Sequence, residues 1–457
     1  MPQPRCPSSL VVGAGFVGLA TALRLVQATG GKVTMLEAAQ GGPGTVAAAS
    51  FGNAGTFAPY ANVPVARPGL WREAARMLVA PGSFKTPPPL SMLANGHAPA
   101  LVPWLARLVR NCAPNRVRAT ALALGALLAR AERAYDAVFE AAHVDVDADM
   151  GEFASDGGAG LPFALRNGYL LLHNSAKSLE GSSRAASLRR EGLGPELRME
   201  RVDASGVLDL EPGIAPSFVG EGGAWYFPDA WCLREPAALL RALAHGFLNA
   251  GGEVRSNAPV EAVGTHKDGR GWVRLKGGES ISADVIVVAA GAHSAALAAT
   301  TGDAIPLDTE RGHSVTFAPG SEHAISRAVC TADGGFILTP MVGGLRAAGL
   351  VELGGLRAPL TRARCEQLES VSRMMLRDDI GDRVESRDWL GFRPTLPDAL
   401  PVIGRSPSSP AVVYAFGHQH VGWTLGGITA DLVASIVRDT PPVVPLDAFR
   451  PDRFRLW

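Results

Sequence analysis

Residues 8–38 read SSLVVGAGFVGLATALRLVQATGGKVTMLEA. A short apolar strand, Leu10 to Val12, runs into Gly13-x-Gly15-x-x-Gly18. Apolar residues at helical spacing follow (Leu19, Ala20, Leu23, Leu25, Val26), Gly30-Gly31 stops the helix, and a second strand, Val33 to Leu36, ends at Glu37. Strand, glycine turn, helix and strand within about thirty residues make a βαβ unit of the dinucleotide-binding kind. Gly13 permits the tight turn, Gly15 lets backbone approach a pyrophosphate, and Gly18 lets the helix pack on the strand. Phe16 and Val17 open the helix, whose free N–H groups and positive dipole end then face the phosphates. In a chain with 53 glycines the spacing alone arises by chance about 0.7 times. The flanking strand and helix make it specific, with an acidic residue about 20 positions on to take ribose hydroxyls. Glu37 in that role favours a free ribose over a 2′-phosphate. The motif does not separate FAD from NAD.

The rest of the chain bounds the class. With 457 residues, 47% hydrophobic and 19% charged, it is long enough for two domains around sizeable cores. Lys+Arg and Asp+Glu are 43 each, and this balance argues against nucleic acid as a partner. Cys6, Cys112, Cys232, Cys330 and Cys365 are odd in number, scattered and never spaced as CxxC. We therefore expect no disulfide framework, no metal site and a reducing, cytoplasmic setting. The nearest approach to a membrane span, Ala119 to Ala129, reads as a buried helix, and Met1 to Ser9 carries three prolines and no signal-peptide pattern.

Downstream of Glu37 a loop of small residues, Gly41 to Tyr60, suits close approach to a ligand. Residues 71 to about 150 carry helical periodicity, Gly168 to His173 reads as a strand, and Pro236 to Asn249 reads as an amphipathic helix. Val285 to Ala290 is a buried strand closed by Gly291, so the nucleotide domain is interrupted by other segments. Strand patterns return over 301–385, and Val412 to Phe416 precedes GHQHVGWTLGG and a helix from about Ile428 to Arg438. The fold class is α/β, with the nucleotide domain on 8–70, 200–300 and 385–440. A second domain takes 71–199 and 301–384, including a helical insert over 71–150.

Six segments in order carry a resemblance: VVGAGFVGLATA with Glu37; Ser50-Phe-Gly-Asn53-Ala54-Gly55; VIVVAAGAHS (285–294); GGLRAAGLVEL (343–353); GFRPTLPDALPVIG (391–404); and GHQHVGWTL (417–425). Spanning nearly the whole chain, they resemble the FAD-dependent amine oxidoreductases, the superfamily of D-amino acid oxidase, glycine oxidase and sarcosine oxidase. Within it the likeness is closest to the small subunit of D-amino acid dehydrogenase. The resemblance implies a Rossmann-like, glutathione-reductase-type FAD domain interleaved with an α+β substrate domain on an antiparallel sheet, with the flavin at their interface. Gly13, Gly15, Phe16, Val17, Gly18 and Glu37 would hold the ADP half. Ser50, Asn53, Ala54 and Gly55 would run beside the pyrophosphate and ring, Val260 would meet adenine through its backbone, and Ala290 and Gly291 would close the cradle.

In the resembled family the GFRP arginine, here Arg393, binds the substrate carboxylate, a task suited to a planar, permanently charged fork. Gly422, Trp423 and Thr424, in a glycine-rich loop opening the last helix, would offer N–H donors and a positive dipole end to negative charge on reduced flavin. His418, His420 and Trp423 are the further candidates for contact with substrate or flavin. Trp389 to Gly404 contains no cysteine, so FAD is expected to be noncovalent, with Cys330 an inert thiol.

The implied reaction is oxidative deamination of a D-amino acid. Hydride passes from Cα to flavin N5, the imine hydrolyses to a keto acid and ammonia, and electrons leave to a quinone or carrier protein. Two alternatives stay open: an oxygen-dependent oxidase or dehydrogenase of glycine, sarcosine, proline or hydroxyproline, and a non-catalytic flavin-binding subunit of a complex. Leu90, Met92, Leu93, Leu101, Trp104 and Leu105, then Arg107 and Arg110, in the segment from Pro87 to Arg110, provide a candidate face for peripheral contact with the inner membrane surface.

Overall fold

The computed structural model describes residues 6–43, 48–70 and 98–455. A six-stranded sheet is ordered 402–405, 412–416, 285–288, 9–12, 33–36, 253–255 and is parallel except for its first strand. Strands Ser9–Val12 and Val285–Val288 are buried at every position, as a parallel strand covered on both faces must be. One face (Val11, Met35, Val287, Val413) packs under helices Phe16–Thr29, Ala131–Ala142, Pro236–Asn249 and Gly422–Arg438. The other (Leu10, Val12, Ile286, Val288, Tyr414) packs under a three-stranded meander, Val260–Thr265, Gly271–Leu275 and Ser280–Ala283.

An eight-stranded sheet is ordered 389–395, 308–316, 344–352, 336–341, 328–331, 169–173, 223–227, 200–203. It is antiparallel except where Ala328–Thr331 runs parallel to Tyr169–His173. Its back face (Val315, Ala347, Leu338, Val329, Leu170) packs on helix Arg362–Met375. Strict register places Trp389, Ser314, Ala348, Ile337, Cys330, Leu171 and Trp225 in one row on the front face. Strands 200–203, 223–227 and 389–395 belong to this sheet, although the sequence reading placed them among the nucleotide segments. Their short apolar alternation suits either sheet, and tertiary pairing decides.

The helical reading of 71–150 is met over 98–111, 114–128 and 131–142, while 71–97 lie outside the described residues. Of the expected membrane face, Leu90, Met92 and Leu93 lie outside the described residues, and Leu101 and Trp104 are turned into the protein. Both are buried, and Trp104 Nε1 donates to Thr395 O at 3.3 Å, so this helix clamps the end of the Arg393 strand. The run Gln419–Arg438 does have the length and hydropathy of a span, which the sequence reading overlooked. It is 67% buried as a core helix, against the first helix and Ala131–Ala142.

Candidate active site

The first strand delivers Gly13 at φ +104°, where a Cβ would lie 2.6 Å from Ala289 O. At Gly18 a Cβ would lie 1.9 Å from Gly13 O, so helix and turn touch backbone to backbone. Gly15 differs: a Cβ there would meet only Ser50 Oγ, at 3.1 Å, leaving the turn open on the side from which phosphate would come. The helix from Phe16 has no capping side chain at Gly15, and Ser50 Oγ accepts from Phe16 N at 3.2 Å. Glu37 is fixed at the end of the second strand, its carboxylate accepting from Ala14 N and Ala39 N, each at 2.9 Å. Asn257 N and Ala258 N donate to Ala39 O and Glu37 O, which brings Val260 to this corner. Ala290 and Gly291 follow the strand on the other side, and the turn Gly291–His293 packs against the Arg393 strand. A Cβ on Gly291 would meet nothing. A glycine-floored turn, a helix start with no capping side chain of its own and a fixed carboxylate form a donor and acceptor set that fits a dinucleotide.

The loop over Ser50–Gly55 is held from above by the eight-stranded sheet. Thr339 Oγ1 donates to Ala54 O at 3.0 Å, and Arg346 Nη1 donates to Phe51 O and Asn53 O at 3.4 and 3.1 Å. Asn53 closes the turn on itself, donating to Ser50 O and accepting from Gly55 N. Trp389 wedges between Gly52 and Gly391, both of which have room for its ring only because they lack a side chain. The sequence reading missed Thr339, Arg346 and Trp389. GGLRAAGLVEL had been noticed, but nothing local says that its arginine reaches a loop almost 300 residues away.

Arg393 stands on the same face. It pairs in register with Glu310, and its Nη1 donates to Leu350 O at 2.9 Å. Its guanidinium lies over Gly312, where a Cβ would come within 2.3 Å of Nη2. Burial lowers its pKa, countered by the Glu310 carboxylate, while burial raises that of Glu310 against the pull of Arg393. Leu350, whose carbonyl accepts from the guanidinium, sits at φ +57°, a strained conformation for a side-chain-bearing residue. Gly312, Glu310 and Leu350 had no sequence signal. We expect Gly312→Ala to retain flavin yet lose about 10²-fold in kcat/KM, because moving a binding group by an ångström is enough for that loss. Flavin absorbance and steady-state kinetics check it.

The tail motif separates into three roles. His420 keeps an exposed surface while protein encloses it, as a cleft-lining side chain does. Burial takes its pKa to about 4, with Arg393 near enough to add to the shift. His418 is buried and interacts through Nε2 with Thr429 Oγ1 at 2.9 Å, and burial takes its pKa to about 3. It is a structural residue, contrary to its place among the catalytic candidates. The Trp423 ring joins an aromatic cluster with Phe16, Tyr135, Phe57 and Trp231 at centroid distances of 4.5, 4.7, 5.7 and 5.8 Å, while its Nε1 is buried without a hydrogen-bond partner among the described residues. Thr424 Oγ1 accepts from Ala58 N at 3.0 Å. Gly422 to Gly427 is not a loop; the helix begins at Gly422 after a 3₁₀ turn, Gln419–Val421. Gly426 and Gly427 are there because helix Ala131–Ala142 comes so close that a Cβ would strike Tyr135.

His313, His418 and His420 all have pKa values near 3 or 4, against about 6.5 in an unfolded chain. From pH 6.5 downward the unfolded chain binds protons that the folded one refuses, so stability is full above 6.5 and falls toward pH 4. Thermal melts across that range should show the loss, and His418→Gln should flatten it.

The profile of the FAD-dependent oxidoreductase family, DAO, matches residues 9–436. The chain belongs to this family. The chain is 31% identical to a D-amino-acid oxidase of Bradyrhizobium diazoefficiens, over 97% of this chain and 98% of that one. It is 30% identical to a D-amino acid dehydrogenase of Cereibacter sphaeroides, over 95% and 92%. Among solved structures its fold resembles glycine oxidase from Geobacillus kaustophilus (TM-score 0.68, 18% identity, 99% of both chains). It also resembles L-proline dehydrogenase from P. horikoshii (TM-score 0.67, 15% identity, 99% of both). The mixed α/β architecture expected from the sequence is the architecture of these relatives.

Proposed function

We propose that the protein oxidises a D-amino acid to its imino acid, using noncovalently bound FAD. The observation that carries this reading is Arg393, a guanidinium aimed over a glycine on the sheet face that also grips the Ser50–Gly55 loop. Bound flavin supplies a two-electron acceptor. The chain's own residues do the rest. Arg393 fixes the carboxylate and thereby the direction in which Cα and the amine project, and Glu310 holds Arg393 in place. His420 is neutral at physiological pH and so adds no positive charge of its own beside Arg393. The names of the relatives at 31% and 30% identity support the D-enantiomer.

Noncovalent attachment is supported by the cysteines. None lies between Trp389 and Gly404, and Cys330, on the cleft face, has its thiol pushed up to about 11 by burial, which leaves it protonated and a poor nucleophile. We expect acid precipitation to release all the FAD into solution; yellow colour retained in the pellet defeats this part of the reading.

For the electron acceptor we propose a quinone or carrier protein, in keeping with the relatives named dehydrogenases. The relative named an oxidase supports oxygen instead. The test of both is anaerobic addition of D-, L- and N-methyl amino acids while flavin absorbance is followed, then admission of air. Bleaching by D-amino acids and slow recovery in air, with little hydrogen peroxide, is the expected result. Bleaching by L-amino acids or by none overturns the assignment of substrate, and stoichiometric peroxide overturns that of acceptor.

A further inference from the structure

Helix Ala98–Asn111 is apolar on both of its sides. Among its 14 residues only Arg107, Arg110 and Asn111 are polar, all in the second half. The inner side, Leu101 and Trp104, is buried. From it Trp104 Nε1 donates to Thr395 O at 3.3 Å and Asn111 Nδ2 to Pro397 O at 3.1 Å, at the end of the strand that carries Arg393. The outer side consists of Val102, Pro103, Ala106 and Val109, and the steps from 102 to 106 to 109 keep to one helical face for about two turns, or 10 Å. All four are exposed, Val102 at 64% and Val109 at 52%. Single exposed valines are ordinary, but a helix solvated on one side carries polar residues along it. This side has none until its last turn.

Charge indicates what covers the stripe. From residue 98 to residue 131 the chain holds five arginines and no Asp or Glu, although the whole chain balances 43 basic against 43 acidic residues. Four of the five gather at the end of this helix: Arg107 and Arg110 on it, Arg116 and Arg118 at the start of helix Pro114–Leu128, which follows directly. Arg107 Nη1 donates to Pro103 O at 3.5 Å, which keeps that guanidinium beside the stripe, and Arg116 Nη1 donates to Asn111 Oδ1 at 3.4 Å. Arg118 pairs with Glu191 of helix Ser183–Leu193. An apolar stripe bordered by arginines complements a surface that is negative on top and apolar beneath, which is an anionic lipid bilayer. Nucleic acid would satisfy the arginines and leave the stripe in water. Among the described residues the run with the length and hydropathy of a span is the core helix, so the contact is with the bilayer surface.

We propose that the outer side of helix Ala98–Asn111 docks the protein on an anionic lipid surface, with Val102, Ala106 and Val109 at the boundary of headgroups and acyl chains and Arg107, Arg110 and Arg116 among the phosphates. The residues that do this face away from Leu101 and Trp104, which hold the Arg393 strand. One helix diameter, about 10 Å, then separates that strand from lipid. A quinone dissolved in the bilayer meets the protein on the side of its site. In this last respect the proposal deepens the acceptor reading above and rests on it; the docking itself does not.

The test is flotation of the FAD-loaded protein with vesicles of phosphatidylcholine alone and of phosphatidylcholine mixed with phosphatidylglycerol. We expect binding to the mixed vesicles only, released by salt. Arg107→Gln with Arg110→Gln should weaken it about 10-fold or more, and Val102→Ser with Val109→Ser by a similar factor. Arg107→Lys with Arg110→Lys should retain it, because headgroup attraction needs the charge and not the planar fork. Met374→Ser, at an exposed apolar residue of helix Arg362–Met375, should change nothing. Flavin content and melting temperature of each variant separate lost docking from lost fold. No preference for the mixed vesicles, or binding that ignores both pairs of changes, overturns the proposal. So does a native dimer that the valine changes split, since a second copy then covers the stripe. If the stripe is needed for vesicle binding, yet a quinone dissolved in those vesicles does not reoxidise chemically reduced flavin, the docking stands and the acceptor reading fails.

Discussion

Arg393→Leu should yield a folded, yellow protein that has lost about 10²–10³-fold or more in kcat/KM, the scale expected when one partner of a desolvated, charge-assisted pair is removed. The residue does not touch the glycine turn or Glu37, so flavin content should be unchanged. Arg393→Lys should fall between the two enzymes, because it keeps a charge but gives up the planar fork. A second consequence follows from Glu310. Its carboxyl is raised by burial and pulled down by Arg393, so the leucine variant removes the downward influence and its pKa rises further. Sign matters here: the variant holds the proton to higher pH than the native enzyme, and the unfolded chain releases it near its ordinary value. The variant should therefore lose stability relative to native as pH rises, and the difference in melting temperature should shrink in acid. Unchanged kinetics with any amino acid that bleaches the native flavin would remove Arg393 from the site.

Gly18→Val is expected to abolish flavin binding outright. Its Cβ would lie 1.9 Å from Gly13 O, a backbone atom in a turn that is itself closed against Ala289. Neither neighbour can give, so the helix must back away from the strand, and the phosphate-facing N–H groups move with it. Purified protein should be colourless, with no absorbance near 450 nm and a depressed melting temperature. Gly15→Ala is the informative comparison, since only the Ser50 hydroxyl stands near, at 3.1 Å. That variant should fold normally and fail only in cofactor affinity. A yellow Gly18→Val protein would show that the turn is not the nucleotide cradle.

What could be read from the sequence was whatever lies within one supersecondary unit or is written in a fixed short pattern. The βαβ start, the strand at 412–416 and the helix at 236–249 were found because their periodicity is local and strong. Arg393 came from the resemblance of its GFRP segment to a known family; no periodicity or spacing within this chain singles it out. His418 and His420 show the limit. They are two residues apart in one loop and look equivalent in sequence, yet one is buried against Thr429 and the other lines the cleft beside Arg393. A 3₁₀ turn, with Gln419 at φ +50°, sends the two rings in different directions.

The sequence by itself determined the βαβ unit and its tight turn, because Gly13 and Gly18, between a strand and a helix, sit where a Cβ would strike backbone. The tertiary structure alone decided how that unit is joined to the substrate side. Gly312 makes room for the Arg393 guanidinium, Leu350 offers it a carbonyl from a strained bulge, and Arg346 and Thr339 hold a loop nearly 300 residues away. Each of these contacts depends on the register of an antiparallel sheet, in which a one-residue slip would send every one of those side chains to the opposite face. Register is set by the packing of both faces at once, and no window of sequence contains both.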